Sequence, residues 1–111
     1  MDLEFKQVND KLIISIIGEL DHHSTDEIRN KIDDKIKSGG YKKVILDFSH
    51  VTFMDSSGIG VIIGRYKKLK LSNGVLCIAN ISNSVKKVFE LSGLFKIINV
   101  YNNVNLAVES I

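Results

Sequence analysis

The chain has 111 residues, 44% of them hydrophobic, which suits one globular domain spanning residues 1–111 and leaves too little for a second core. Fifteen lysines and arginines against thirteen acidic residues leave a formal charge of +2, and the basic residues are scattered, so no basic stripe recommends nucleic acid as a direct partner. No apolar run reaches the ~20 residues that cross a bilayer, and the opening MDLEFKQ lacks the basic-then-apolar layout of a signal peptide, so a cytoplasmic protein with no membrane partner is expected.

In chain order, LEFKQV alternates across residues 3–8 and KLIISIIG, rich in β-branched residues, spans 11–18; Asn9-Asp10 between them predicts a hairpin. Ser24 and Glu27 make a capping-box pattern, Ile28, Ile32 and Ile36 recur every four residues, and Ser38-Gly39-Gly40 is a stop signal, which together predict a helix over 25–37. VILDF (44–48) reads as a buried strand, after which HVTFMD is expected to lead as a loop into a second helix starting near Ser56. VLCIAN (75–80), reached through an Asn73-Gly74 turn, is another buried strand. It holds Cys77, the only cysteine, as a buried thiol, so neither a disulfide framework nor a cysteine zinc site is available.

Ser82 or Ser84 can cap a third helix running through Val85, Val88, Phe89 and Leu91, with Gly93 closing it in a left-handed conformation. KIINVY then reads as a last strand and NVNLAVESI as a short terminal helix. Strands separated by helical segments are the pattern of right-handed crossovers. The expected fold class is α/β, with a mostly parallel sheet of four to five strands, an N-terminal hairpin and about four helices.

The stretch FMDSSGIG (53–60) sets an acid and two serines before glycines at the predicted start of the second helix, and it supports several readings. Asp55, Ser56 or Ser57 can cap the helix, which is worth ~1 kcal/mol, but one cap needs one such residue and three stand here in a row. GIGVIIG resembles a dinucleotide-binding glycine pattern only superficially: the spacing is off, and the next strand ends at Asn80 rather than at a ribose-binding acid. A Walker-type phosphate loop fails because no Lys-Ser or Lys-Thr follows the glycines.

A nucleophilic serine would want a G-x-S-x-G elbow and a histidine base, whereas the chain offers MDSSG with His22, His23 and His50 all upstream. That leaves a small serine-dependent hydrolase or nucleotide-binding enzyme, using Ser56 or Ser57 with one of these histidines, as the rival reading. Adjacent His22 and His23 read better as a solvated loop pair than as metal ligands, since no third ligand has suitable spacing. A phosphoacceptor is the remaining reading: a serine at a helix start is reachable by a kinase, and a phosphate there meets unpaired N–H groups and the positive end of the helix dipole.

Placed at 100° per residue, Ile59, Ile62, Ile63, Tyr66 and Leu69 share one face of the second helix, assigned to the core. The opposite flank then carries Gly60, Val61, Gly64, Arg65 and Lys68. Glycine inside a helix costs ~1 kcal/mol relative to alanine, so Gly60 and Gly64 call for close approach, either to the chain's own sheet or to another protein. The loop GELDHH (18–23) is expected at the same sheet edge as HVTFMD, bringing Asp21 near Ser56.

Taken together, GELDHHSTDEI, FMDSSGIGVIIGRYK and VKKVFELSGLFKII, in this order and spacing, resemble the anti-sigma-factor antagonists of bacterial sporulation, which belong to the STAS domain family. The resemblance runs along essentially the whole chain. It implies a binding switch without catalysis of its own and without cofactor or metal. The unmodified form would bind an anti-sigma factor that is also a serine kinase, releasing the sigma factor. The kinase, using ATP, would phosphorylate the serine directly after the motif aspartate, here Ser56, and a PP2C-type phosphatase would reverse it. The expected partner surface combines Ser56 with Asp21, Asp55, Ser57, Gly58 and the flank Gly60, Val61, Gly64, Arg65 and Lys68.

Overall fold

A computed structural model describes residues 2–111. Strand β1 (Asp2–Val8) pairs antiparallel with β2 (Lys11–Leu20) across the two-residue turn Asn9-Asp10, in which Asn9 takes the left-handed φ of 56° that asparagine tolerates. Helix α1 (Thr25–Gly39), strand β3 (Lys43–Met54), helix α2 (Ser56–Leu71), strand β4 (Val75–Ala79) and helix α3 (Asn83–Ser92) follow. A 3-10 turn at Leu94–Lys96, strand β5 (Val100–Tyr101) and helix α4 (Val104–Ser110) complete the chain.

The five strands lie side by side in chain order, and β2 to β5 are mutually parallel. Successive right-handed crossovers that always step the same way leave their helices on one face, so α1, α2 and α3 share a core with the inward residues of the sheet, among them Leu12, Ile14, Val44, Leu46, Ile78 and Phe89. On the opposite face α4 covers Ile13, Ile45, Cys77 and Ala79 through Ala107. Burial pushes the Cys77 thiol up to about 12, so it stays an inert thiol. Strand order never reverses, so the sheet has no switch point of the kind at which doubly wound sheets hold nucleotides.

Several local expectations are corrected. Residues 50–54 are strand, not loop: β3 continues to Met54, paired with β2 as far as Leu20. Two register shifts each give β3 one extra residue, between its pairings with Ser15 and Ile17 and with Gly18 and Glu19. Gly18, at φ 117°, supplies backbone that other residues avoid at such an irregularity. The bulges turn the period of two into a period of three, so Phe48, Val51 and Met54 all point inward while the residues between are exposed.

Ser24 occupies the N-cap of α1, but its hydroxyl donates to the Glu19 and Asp21 carbonyls instead of capping. Glu27 pairs with Lys31 at 2.8 Å, so the capping box does not form. Leu91 is 91% exposed, off the buried face of α3, and KIINVY yields only the two strand residues of β5, because Leu94 and Ile98 are buried through the 3-10 turn instead. The caps of α3 hold as expected, and the structure adds one at the start of α4. Ser82 accepts from the Val85 N–H, Gly93 closes α3 at φ 75°, and Asn103 accepts from the Leu106 N–H at 2.9 Å.

Candidate functional site

The ends of β2 and β3 meet at one edge of the sheet, where the Asp55 N–H donates to the Leu20 carbonyl at 3.3 Å. That bond fixes the point at which α2 begins. Asp55 is extended, with φ −109° and ψ −172°, and as N-cap its Oδ1 accepts from the Ser57 N–H at 2.8 Å. Capping therefore falls to the aspartate, and Ser56, the first residue of α2, is left exposed with its hydroxyl free of that duty. Ser57 is half-buried beside it.

Partial desolvation works against ionisation of Asp55, but the N–H groups of Ser57, His22 and Gly58 and the Ser57 hydroxyl outweigh it and hold the carboxyl below its ordinary value. The site thus carries a fixed negative charge one residue before Ser56. His22 Nδ1 lies 3.7 Å from Asp55 Oδ2, and its ring stacks on His23 with centroids 3.9 Å apart. This brings the loop after β2 to the start of α2, as the sequence implies. Asp21 arrives there with its carboxylate already engaged, accepting from the His23 and Ser24 N–H groups at 3.0 and 3.2 Å.

Among the described residues no histidine hydrogen-bonds Ser56 or Ser57: His22 faces Asp55, and His50 is exposed on β3. A nucleophile needs a base within hydrogen-bond reach, so the geometry gives the hydrolase reading no support. No group of three or more histidine, cysteine, aspartate or glutamate side chains is placed to hold a metal ion among the described residues. Nor is any helix there long and apolar enough to cross a membrane.

Helix α2 is rotated from its expected setting. Gly58, Val61, Ile62, Arg65 and Leu69 form its buried row, while Ile59, Ile63 and Tyr66 are only half-buried at its side. Val61 and Arg65, expected on an exposed flank, are 5% and 4% accessible. Arg65 Nε sits 2.8 Å from Asp33 Oδ1 of α1 without an aligned hydrogen bond, and Nη1 donates to the Val61 carbonyl at 3.3 Å. Lys68 Nζ reaches the other oxygen of Asp33 at 3.0 Å from the surface. Asp33 carried no signal in the sequence, because its role depends on a helix packed against its own.

Gly58, expected to face a partner, is the glycine that permits close packing. A Cβ there would stand 2.5 Å from Met54 Cγ and 3.0 Å from both Leu20 Cγ and the Leu20 carbonyl oxygen. Apart from their own helix backbone, no described residue lies within 4 Å of such a Cβ at Gly60 or Gly64, which overturns the reading that they seat the helix on its own sheet. A nearly bare strip is left running from Ser56 past Gly60 and Gly64 toward Lys68.

The Asp33–Arg65 pair predicts asymmetric mutants. Asp33→Ala strands a buried guanidinium and is expected to cost about 2–3 kcal/mol, below the full figure for a buried pair because Asp33 is partly exposed. Arg65→Met removes the buried charge and refills its volume, leaving Asp33 with Lys68, and is expected to cost less than ~1 kcal/mol. Urea unfolding of both variants measures the difference; equal costs would show that the pair is not held as drawn.

The sequence profile of the STAS domain matches residues 2–107. The anti-sigma F factor antagonist of Paenibacillus polymyxa is 36% identical over 103 residues, which cover 93% of this chain and 88% of that protein. The anti-sigma factor antagonist SpoIIAA, solved in its unphosphorylated form, gives a TM-score of 0.83 at 34% identity, covering 97% of this chain and 94% of that one. The Bacillus cell fate determinant SpoIIAA in its phosphorylated form gives a TM-score of 0.74 at 33% identity, covering 97% of both chains.

Proposed function

The chain belongs to the STAS domain family, and from that premise we propose that it is a phosphorylation-gated anti-anti-sigma factor. Unmodified, it binds an anti-sigma factor that is also a serine kinase and thereby releases a sporulation sigma factor, of the F type that the Paenibacillus relative's name specifies. The kinase transfers phosphate from ATP to Ser56, which ends binding, and a PP2C-type serine phosphatase restores the active form. The exchange takes place in the cytoplasm, with residues 1–111 acting as one domain that contributes binding and no catalysis or cofactor.

The observation that carries this reading is the exposed Ser56 at the first position of α2, directly after the aspartate that has taken over the cap. A phosphate at that place is tolerated by the helix N-terminus, and it adds ~1.5 to 2 negative charges beside an Asp55 that is already ionised. Structures of SpoIIAA in both phosphorylated and unphosphorylated forms support the same switch. The partner face comprises Asp21, Asp55, Ser56, Ser57, Gly60, Gly64 and Lys68. Gly58, Val61 and Arg65 contribute from beneath by seating the helix that presents it.

Incubation with ATP and the anti-sigma serine kinase of the same genome, followed by intact mass and peptide mapping, tests the assignment. One phosphoryl group on Ser56, absent from Ser56→Ala, is the expected result. An unmodified chain beside a kinase that phosphorylates another antagonist would reduce FMDSSGIG to a capped helix start.

A further inference from the structure

We propose that the free edge of β1 pairs antiparallel with β1 of a second copy of this chain, giving a two-fold dimer with one continuous ten-stranded sheet. This inference is independent of the phosphorylation reading. β1 is the outermost strand, seven residues long, and its register with β2 is unbroken by any bulge. The chain contains no proline to blunt that edge.

The hairpin turn decides which backbone groups are free. A two-residue turn makes Val8↔Lys11 a hydrogen-bonded pair, so Asp2, Glu4, Lys6 and Val8 bond to β2, and the N–H and C=O groups of Leu3, Phe5 and Gln7 face outward. An antiparallel copy satisfies those groups over the full strand when Phe5 lies opposite Phe5 of the copy and Leu3 opposite Gln7. In that register Glu4 stands opposite Lys6 of the copy, twice by symmetry, in the close non-hydrogen-bonded positions.

Sliding one strand by two residues in one direction sets Glu4 against Glu4, with Asp2 opposite Lys6, and pairs only residues 2–6; in the other direction it sets Lys6 against Lys6 and pairs only residues 4–8. A slip of one residue mismatches the hydrogen bonds. The register centred on Phe5 is therefore the one that pairs the whole strand and sets no like charges opposite each other. Glu4 and Lys6 are both exposed, and neither makes a salt bridge within the chain among the described residues.

Charges on an edge strand usually prevent association, but here only the register centred on Phe5 sets Glu4 against Lys6 on both sides of the two-fold axis. On the helix-bearing face the two Phe5 rings, each 36% exposed here, meet at the two-fold axis. The Lys35 ammonium lies 5.5 Å from the Phe5 ring centroid, on that same face. The start of α2 follows β3, two strands in from this edge, and Ser56 stays open in both copies.

Sedimentation equilibrium of the whole chain from micromolar to millimolar concentration, at low and high salt, provides the test. A monomer–dimer equilibrium that weakens with salt is expected, since one strand pair is a small interface. Glu4→Lys or Lys6→Glu alone should weaken it at least ~10-fold, and the double variant should restore it, because the exchange keeps opposite charges paired. Phe5→Pro removes an N–H that the β1–β2 ladder does not use, so it should give a monomer with an unchanged far-UV spectrum. A parent chain that is monomeric at millimolar concentration, or a double variant no stronger than the single ones, would overturn the proposal.

Discussion

Ser56→Asp is expected to fold as the parent does and to bind the proposed partner, an anti-sigma serine kinase, at least ~100-fold more weakly, because a charge forced into the proposed interface around a neutral serine costs several kcal/mol. The side chain is exposed at the first position of α2, so nothing in the core moves to accommodate the carboxylate. An acid in the first turn favours the helix by about 0.3–1 kcal/mol, partly cancelled by repulsion from Asp55. Thermal stability should therefore be level with the parent's, which separates a lost surface from a lost fold. Ser56→Ala supplies the matching control: it should bind as the parent does and resist phosphorylation. A folded Ser56→Asp protein that binds within ~3-fold of the parent would remove the electrostatic basis of the switch.

Most of the fold follows from patterns that are local in the chain. Asn9-Asp10 marks the hairpin, Ile28 and Ile32 mark the buried stripe of α1, and Ser82 and Gly93 bracket α3 as caps of their kinds do. What the sequence hid depends on neighbours distant in the chain. The second half of β3 reads as loop because two bulges against β2 impose an inward period of three on Phe48, Val51 and Met54. The rotation of α2 was hidden for a related reason. Hydrophobicity alone places arginine outward, yet Asp33 on another helix accepts Arg65 into the buried row. Asp55, Ser56 and Ser57 could each have capped α2, and only the geometry divides the roles, giving the cap to Asp55 and leaving Ser56 free.

Gly58→Val is expected to cost about 3 kcal/mol, since its Cβ would stand 2.5 Å from Met54 Cγ and 3.0 Å from a backbone carbonyl that cannot turn aside, and its methyls add further crowding. Gly58→Ala should cost less, because alanine's better helix propensity, worth ~1 kcal/mol, offsets part of the overlap. Gly60→Ala and Gly64→Ala meet open space and should instead stabilise the chain by up to ~1 kcal/mol. Denaturant unfolding ranks the four variants, and kinase binding then separates two uses of glycine on one helix. Gly58 packs on the ends of β2 and β3, the same ends that set Asp55 and the 21–24 loop, so its replacement should lower stability and binding together. Gly60→Ala should raise stability while lowering binding, because the strip lies on the proposed partner face and no other described part of this chain approaches it. Unchanged binding by both Gly60→Ala and Gly64→Ala would move the interface away from the flank of α2 and confine it to the loop and the first turn.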